Sequence, residues 1–284
     1  MKIGVLFVFH ESTARPGPFA QATERLGFES LWVPEHPILP ADPKTPFPAG
    51  GPIPDVYSHM SDQFVCLAMA AAVTTKIKLA TGITLVPEHN PIVAAKQIAT
   101  LDHFSGGRVI YGIGAGWLRE ESEIFGVDFP RRWTQTAEYV AAMRELWTKP
   151  EAAFTGKYVN FPAVRSYPKP AQPAGPPVLI GSRDKNALKR VAKWGDGWFP
   201  NRVTPDDMKR DLATLRDECR AVGRDFAKLD ITVMGGIAGD RAAVQAELAR
   251  FAEAGVGRFV IALGTLTPED YAQRLERFAS LYIQ

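Results

Sequence analysis

Strand-like and helix-like segments alternate along this whole chain, and that alternation limits the possible folds more than any other feature. Eight short apolar runs, bounded by Gly, Pro or polar residues, are typical of strands buried on both faces. They are Ile3–Phe9, Ser30–Pro34, Ile77–Val86, Arg108–Gly114, Pro177–Gly181, Gly197–Pro200, Asp230–Met234 and Arg258–Leu263. A helix-like segment follows each run. The pattern predicts one (β/α)8 barrel, a TIM barrel of class α/β, formed by residues 1–284. An open doubly wound sheet is the alternative.

Two helix starts carry the same capping pattern. In each, a capping Thr precedes a Pro at the first helical position, and two acidic residues follow in the first turn. The two segments are Thr204-Pro205-Asp206-Asp207 and Thr267-Pro268-Glu269-Asp270. Both are therefore predicted to begin helices at the proline.

Two long insertions interrupt the alternation. Pro37–Met60 follows the second strand and is rich in Pro and Gly, so it is neither helix nor central strand and is expected to lie over the barrel mouth as a lid. Lys157–Pro176 holds five prolines and is predicted to be a long loop before the fifth strand.

The composition excludes several classes of function. A net charge of +2 gives no strong field for nucleic acid or for an acidic membrane surface. The chain has no apolar run of about 18 residues and no signal peptide, so a cytoplasmic protein is expected. Cys66 and Cys219 are expected to be reduced core thiols, and no Cys or His spacing typical of a metal site occurs. The expected partner is therefore a small-molecule substrate.

In a barrel, chemistry takes place at the carboxyl ends of the strands. The residues at these ends include no lysine for a Schiff base, a single carboxylate, and no cluster of His and Asp for a metal. They are rich in glycine instead: Phe9, His10, Glu35, His36, Thr84, Leu85, Gly114, Ala115, Gly116, Gly181, Ser182, Arg183, Pro200, Asn201, Gly235, Gly236 and Gly264. Such a set suits a site whose reactive atoms belong to a bound cofactor.

Two glycine loops on neighbouring strands favour a phosphate site. Gly112-Ile113-Gly114-Ala115-Gly116 and Gly181-Ser182-Arg183 each end a strand and lead towards a helix. Small residues let the backbone approach an anion, and a helix N-terminus presents free N–H groups to it. Tight turns that need positive φ are the alternative explanation of these glycines.

Several longer stretches carry a family resemblance that covers essentially the whole chain. They are Leu26–His36, Lys78–Thr84, Asn90-Pro91, Lys96-Gln97, Thr100–Arg108, Gly112–Glu121, Pro177–Gly181 and Gly195–Trp198. In this order they resemble the luciferase-like monooxygenase superfamily, and specifically its branch that uses the deazaflavin coenzyme F420.

The resemblance implies how a cofactor would be held. In similar enzymes the ring lies across the end of the third strand, where a bulge contains a non-proline cis peptide; the matching bond here is Thr84–Leu85. The phosphate would be held by the loops Gly114–Gly116 and Gly181–Arg183. Phe9, together with Glu35 and His36, would contact the ring.

The resemblance also assigns catalytic and substrate residues. His36 is expected to be the catalytic proton donor, with Glu35 orienting it or the cofactor. Deazaflavin-dependent sugar-phosphate dehydrogenases carry a glutamate where this chain has Trp117, which favours an apolar substrate. Trp117 and Phe9 are its expected walls, and His59 of the lid is expected to reach it.

The function that follows is hydride transfer between reduced F420 and a small organic substrate such as an unsaturated carbonyl or aromatic compound. An FMN-dependent monooxygenase that activates oxygen is the alternative, and a non-catalytic protein that binds flavin or deazaflavin is the third possibility. The flat surface of Ala68-Met69-Ala70-Ala71-Ala72 predicts a homodimer that buries the second and third helices.

Overall fold

The computed structural model describes residues 1–264 and 266–283, which form ten β-strands and nine α-helices. The strands are β1 Lys2–Leu6, β2 Ser30–Val33, β3 Lys78–Leu85, β4 Val109–Gly114, β5 Ala152–Thr155, β6 Asn160–Val164, β7 Val178–Ile180, β8 Gly197–Trp198, β9 Asp230–Gly235 and β10 Arg258–Ala262. The helices are α1 Pro16–Arg25, α2 Gln63–Ala71, α3 Pro91–Ser105, α4 Arg119–Ile124, α5 Arg132–Thr148, α6 Ala187–Trp194, α7 Pro205–Ala221, α8 Arg241–Glu253 and α9 Tyr271–Tyr282.

Eight of these strands close a parallel barrel in the order β1-β2-β3-β4-β7-β8-β9-β10, with β10 hydrogen-bonded back to β1. Each of the eight apolar runs overlaps one barrel strand, so the predicted (β/α)8 barrel is confirmed. Because parallel strands share their direction, the carboxyl ends of all eight open onto one mouth.

The barrel has two packed layers. Side chains inside it form a small cluster around Leu6, Trp32, Leu179 and Phe199. A larger core lies between the strands and the helices and contains residues such as Phe19. This division follows from the alternation of successive strand side chains between the two faces of the sheet.

The segment before β7 differs from its prediction. β5 and β6 pair as an antiparallel hairpin outside the barrel, so Lys157–Pro176 contains a strand and is not irregular throughout. The prolines of this segment concealed the strand, but Pro162 is compatible with it because the two-stranded ribbon leaves outer backbone groups unpaired.

One of the two predicted helix caps is confirmed. Thr204 and Asp207 form the reciprocal capping box of α7, which begins at Pro205. At the second pattern the Thr267 N–H donates to Asp270 Oδ1 at 2.7 Å, but residues 268–270 form a turn and α9 begins at Tyr271.

The bulge of β3 lies two residues earlier than expected. The pairing of β3 with β4 shifts between Thr81 and Thr84, and the non-proline cis peptide is Gly82–Ile83, not Thr84–Leu85. Thr84 and Leu85 have already returned to regular pairing with β4. Gly82 is where backbone must pass close to a neighbour, since a Cβ there would lie 2.9 Å from Leu6 Cδ1.

Within the described ranges, no helix combines the length and the apolar character needed to cross a bilayer. Cys66 and Cys219 are both buried and form no disulfide.

Candidate active site

A cavity of about 290 Å³ opens at the carboxyl ends of the barrel strands. Most of its lining is apolar, and its walls carry Glu35 and His36, which follow β2. The other lining residues are Leu6, Val8, Pro34, Val56, Tyr57, Met60, Gly82, Ile83, Leu85, Trp117, Gly181, Ser182, Phe199, Asn201 and Met234. The arrangement suits a flat apolar ring that meets a few polar groups along one edge.

Phe9 does not line this cavity, contrary to the prediction. Its ring is 3% exposed and packs edge-on against Phe7 and Phe19, at centroid distances of 4.9 and 5.4 Å. Leu6 and Val8 line the cavity instead. β1 ends at Leu6, and the extended chain beyond it keeps placing alternate residues on opposite faces, which turns Phe9 towards the helices.

His36 is buried and contacts a partner at each ring nitrogen. Its Nδ1 lies 2.6 Å from Glu121 Oε2, a carboxylate on α4 that has no exposed surface. The Trp117 indole N–H donates to His36 Nε2 at 3.2 Å. Glu121 is therefore the carboxylate that orients His36, a role that the sequence had suggested for Glu35.

Glu35 holds the bulged strand instead. Its Oε1 accepts the Leu85 N–H at 2.5 Å and lies 2.9 Å from His89 Nε2. Burial disfavours the charged form of His89, but the hydrogen bond and the charge of Glu35 outweigh burial and raise the pKa of this imidazole. Glu35 thus links His89 to the bulged strand and favours the protonated form of this imidazole.

A third buried carboxyl group, Glu88, lies behind this wall. The Ser122 hydroxyl donates to Glu88 Oε1 at 2.7 Å. Burial raises the pKa of Glu88 to about 8, and the nearby charges of Glu121 and Glu35 add to the rise. Glu88 is therefore protonated at neutral pH, which limits the negative charge that the site must hold.

The lid segment, residues 37–60, covers His36 with aromatic rings. Tyr57 lies 4.9 Å from the His36 ring centroid, and Phe47 packs edge-on against both Tyr57 and Trp117. The segment is tied down by Glu120, whose carboxylate accepts hydrogen bonds from the Lys44 N–H, the Thr45 N–H and the Thr45 hydroxyl.

The two glycine loops are adjacent because β4 and β7 pair with each other. The Gly181 N–H donates to the Ile113 carbonyl at 2.7 Å, and Gly181 and Ser182 line the cavity. Gly116 has φ of 79°, a conformation that favours glycine. Gly114 and Ala115 are buried, and a Cβ on Gly114 would lie 2.1 Å from Ile83 Cδ1, so Gly114 serves close packing.

The guanidinium group of Arg132 contacts the first of these loops. Arg132 Nε donates to the Gly116 carbonyl at 3.0 Å. Burial lowers the pKa of Arg132; the neighbouring charges of Arg190 and Arg119 lower it further, against the opposing effect of Asp184. Mutual repulsion of this kind is relieved when an anion binds between the cations.

Three further predicted residues, Arg183, His59 and Thr84, do not line the cavity. The Arg183 guanidinium is exposed and donates to the Arg202 carbonyl at 2.8 Å. His59 is exposed, and its Nδ1 lies 2.6 Å from Glu11 Oε1. Thr84 is fully buried and donates to Gln63 Oε1 at 3.3 Å, while Leu85 beside it does line the cavity.

Four polar side chains in and around the cavity were not assigned to the site from the sequence: Tyr57, Glu88, His89 and Glu121. The residues assigned to strand ends lie at most two positions beyond each predicted strand, whereas Glu88, His89 and Glu121 lie three to seven residues beyond the ends of β3 and β4. The stretch Gly112–Glu121 did carry a signal, because it closes a family motif with Glu121.

The barrel has an apolar cavity at its mouth and two glycine loops beside it, one of which contacts Arg132. These features define an α/β barrel that carries its site at the strand ends. The chain belongs to the luciferase-like monooxygenase family, a family of oxidoreductases, whose model matches residues 1–281.

Relatives of the chain include F420-dependent enzymes. It is 38% identical to the uncharacterized protein Rv0953c of Mycobacterium tuberculosis over 99% of this chain and 98% of the relative. It is 29% identical to an F420-dependent glucose-6-phosphate dehydrogenase of Kineococcus radiotolerans, over 76% of this chain and 61% of that protein.

Solved structures share the fold. An F420-dependent secondary alcohol dehydrogenase in complex with an F420-acetone adduct matches with a TM-score of 0.75 and 20% identity over 98% of both chains. The oxygenating constituent of 3,6-diketocamphane monooxygenase from Pseudomonas putida, in complex with FMN, matches with a TM-score of 0.76 and 15% identity over 99% of this chain and 97% of that one.

Proposed function

We propose that this protein transfers a hydride between reduced coenzyme F420 and a small, apolar, unsaturated organic substrate. The observation that carries the proposal is the apolar cavity at the barrel mouth, with buried His36 on its wall and two glycine loops at its edge. The F420-dependent relatives support the same assignment.

The residues present fit a deazaflavin. Leu6, Ile83, Phe199 and Met234 offer an apolar bed for the ring, and Gly82 and Gly181 line the same cavity. The loop around Gly116, with the guanidinium of Arg132, offers backbone and charge to a phosphate. When bound, reduced F420 supplies a hydride equivalent and reacts poorly with oxygen.

The protein's own side chains would manage the proton and exclude water. Hydride delivery to an unsaturated carbonyl leaves an enolate, which needs a proton from a donor near neutral pH. His36, backed by Glu121, is the group on the cavity wall suited to this task. Phe47, Tyr57 and Trp117 would keep water away from it.

Thermal unfolding tests the cofactor assignment. A ligand at about 100 times its dissociation constant stabilises the folded state by roughly 2.7 kcal/mol, and each kcal/mol raises the melting temperature of a chain of this size by about 2–4 °C. We expect a shift of this size with F420 and a smaller one with FMN at the same concentration. A shift with FMN equal to or larger than that with F420 would reverse the assignment.

An FMN-dependent monooxygenase is the second candidate, and the structural likeness to an FMN-bound monooxygenase favours it. A flavin absorbance in the purified protein, with oxygen consumed during turnover, would support this candidate. The third candidate, a protein that binds the cofactor without turnover, predicts no steady-state activity with any of a panel of enones and quinones.

We also propose that the protein is a homodimer that buries α2 and α3. Both helices carry exposed apolar side chains, and a cavity of about 500 Å³ lies between them. These side chains are Val65 and Met69 on α2, and Ile92, Val93 and Phe104 on α3. Several exposed apolar side chains on two neighbouring helices are typical of a protein–protein interface.

Met69→Glu is expected to convert the dimer to a monomer, because a charge buried without a partner opposes association. Light scattering at micromolar concentration measures the change. Val222→Glu is the matched control, since Val222 is similarly exposed, at 46% against 45% for Met69, and lies just after α7. A monomeric parent protein, or a dimeric Met69→Glu variant, would contradict the proposed interface.

A further inference from the structure

The two hydrogen bonds of His36 define its protonation state. A carboxylate only accepts hydrogen bonds, so the 2.6 Å contact with Glu121 places a proton on Nδ1. An indole N–H only donates, so the 3.2 Å contact with Trp117 requires a lone pair on Nε2. Together they select the neutral imidazole with its proton on Nδ1.

We propose that Glu121 and Trp117 are positioning residues with opposite effects on His36: Glu121 holds the Nδ1 proton and the ring orientation, whereas Trp117 occupies Nε2 and keeps the ring neutral. With the indole in place, Nε2 holds a lone pair and has no proton to give. His36 therefore donates to the substrate only after the indole moves aside and Nε2 takes up a proton from solvent, which gives a cation that Glu121 stabilises. The consequence for turnover rests on the proposed function, but the assignment itself concerns only these three side chains.

The opposition follows from elementary electrostatics. Protonation of His36 places N–H groups on both nitrogens. The carboxylate of Glu121 stabilises that cation, since an opposite charge in direct contact favours the charged form. The Trp117 N–H would then face the Nε2 N–H, and two donors cannot share a hydrogen bond. Each partner therefore shifts the protonation of His36 in its own direction.

The surroundings make Glu121 the main charge acting on His36. Glu121 is fully buried, and its Oε1 has no hydrogen-bond partner among the described residues. Among these residues, its carboxylate hydrogen-bonds to His36 alone, through Oε2. Glu35 is paired with His89. Glu88 is protonated at neutral pH because burial raises its pKa to about 8.

The lid contributes one further titratable group. Tyr57 faces the His36 ring, and burial raises the pKa of its phenol, which stays neutral at neutral pH. The charge of Arg202 has the opposite effect and lowers the pKa of Tyr57. Neither side chain hydrogen-bonds to either nitrogen of His36 in the described part of the chain.

An NMR titration of the histidine ring signals tests the proposal without cofactor or substrate. The chain has five histidines, and a His36→Gln variant identifies the signal of His36. With Glu121→Gln, the titration midpoint of His36 is expected to move to lower pH by about 1–3 units, the usual effect of a lost ion-pair partner. With Trp117→Phe, it is expected to move to higher pH by roughly half a unit to one unit, the effect of one neutral hydrogen bond.

Glu123→Gln is the matched control, because Glu123 lies on the same helix but is exposed and pairs with Arg119. The titration midpoint of His36 in the Glu123→Gln variant should equal that in the parent protein. In turnover assays, the pH profile should move in the same direction as the NMR midpoint for each variant, a readout that a purely structural role would leave in place.

An unchanged midpoint in folded Glu121→Gln, or a lowered or unchanged midpoint in Trp117→Phe, would overturn the proposal. If Glu121→Gln does not fold, as judged by circular dichroism, Trp117→Phe decides alone. Because the titration needs no cofactor, a failure of F420 to stabilise the protein would overturn the proposed function and leave this result standing.

Discussion

His36→Ala is expected to lower turnover by about 10²–10⁴-fold, the usual cost of losing a general acid, while the affinity for the cofactor stays close to that of the parent protein. His36 is the imidazole on the cavity wall, and its Nε2 is the ring nitrogen that substrate can reach once Trp117 moves. Steady-state kinetics measures the first quantity, and quenching of deazaflavin fluorescence measures the second.

The control for this variant is His59→Ala. His59 belongs to the lid but is exposed and pairs with Glu11, outside the cavity, so its loss should leave turnover near that of the parent protein. His36→Gln accompanies the alanine variant, because an amide can still donate to Glu121 and so avoids a buried unpaired carboxylate. Near-normal turnover in both His36 variants would remove the catalytic role. Loss of cofactor binding would make His36 part of the ring pocket.

Glu88→Gln is expected to stabilise the folded protein at alkaline pH and to have little effect at pH 5. The pKa of Glu88 is about 8 in the folded protein and near its ordinary value of 4.5 in the unfolded chain. Between these values the folded protein holds a proton that the unfolded chain releases. The stability contributed by this proton is complete below pH 4.5 and is lost as the pH rises to about 8.

The size of this effect follows from linkage. One proton held only by the folded state lowers the free energy of unfolding by about 1.4 kcal/mol for each pH unit crossed. Glutamine resembles the protonated acid and keeps an acceptor for the Ser122 hydroxyl, so its variant should lose this pH dependence. Urea unfolding at several values between pH 5 and 9 measures the difference in slope.

Glu123→Gln is again the appropriate control, since an exposed carboxylate should not change the slope. Equal slopes for the parent protein and Glu88→Gln would contradict a protonated Glu88 and, with it, the low charge assigned to the site.

Much of the barrel could be predicted from local pattern. Buried parallel strands are short apolar runs in the sequence, and each of the eight runs overlaps a barrel strand. The end of a strand then indicates the barrel mouth, which is why Glu35 and His36 could be placed at the site before any coordinates. Gly181, Ser182 and Leu85 were located in the same way, whereas Trp117 was placed by the family resemblance.

Side-chain direction could not be predicted equally well. Phe9 was assigned to the cavity because β1 was expected to end there, yet β1 ends at Leu6 and the alternation of faces turns Phe9 into the core. A displacement of one residue reverses the face of a strand, and boundaries read from sequence are uncertain by more than that. The bulge at Gly82–Ile83 was predicted two residues too late in the chain, again because positions within a strand are uncertain by more than one residue when read from sequence.

The sequence by itself determined the barrel, its open end and the identity of the histidine at the mouth, because these depend on local patterns of apolar and polar residues. Only the tertiary structure decided what His36 can do. Glu121 lies 85 residues from His36 in the chain, and Trp117 lies 81 residues from it. Barrel closure and the short helix α4 bring all three together, and contacts over such distances leave no periodic signal in the sequence.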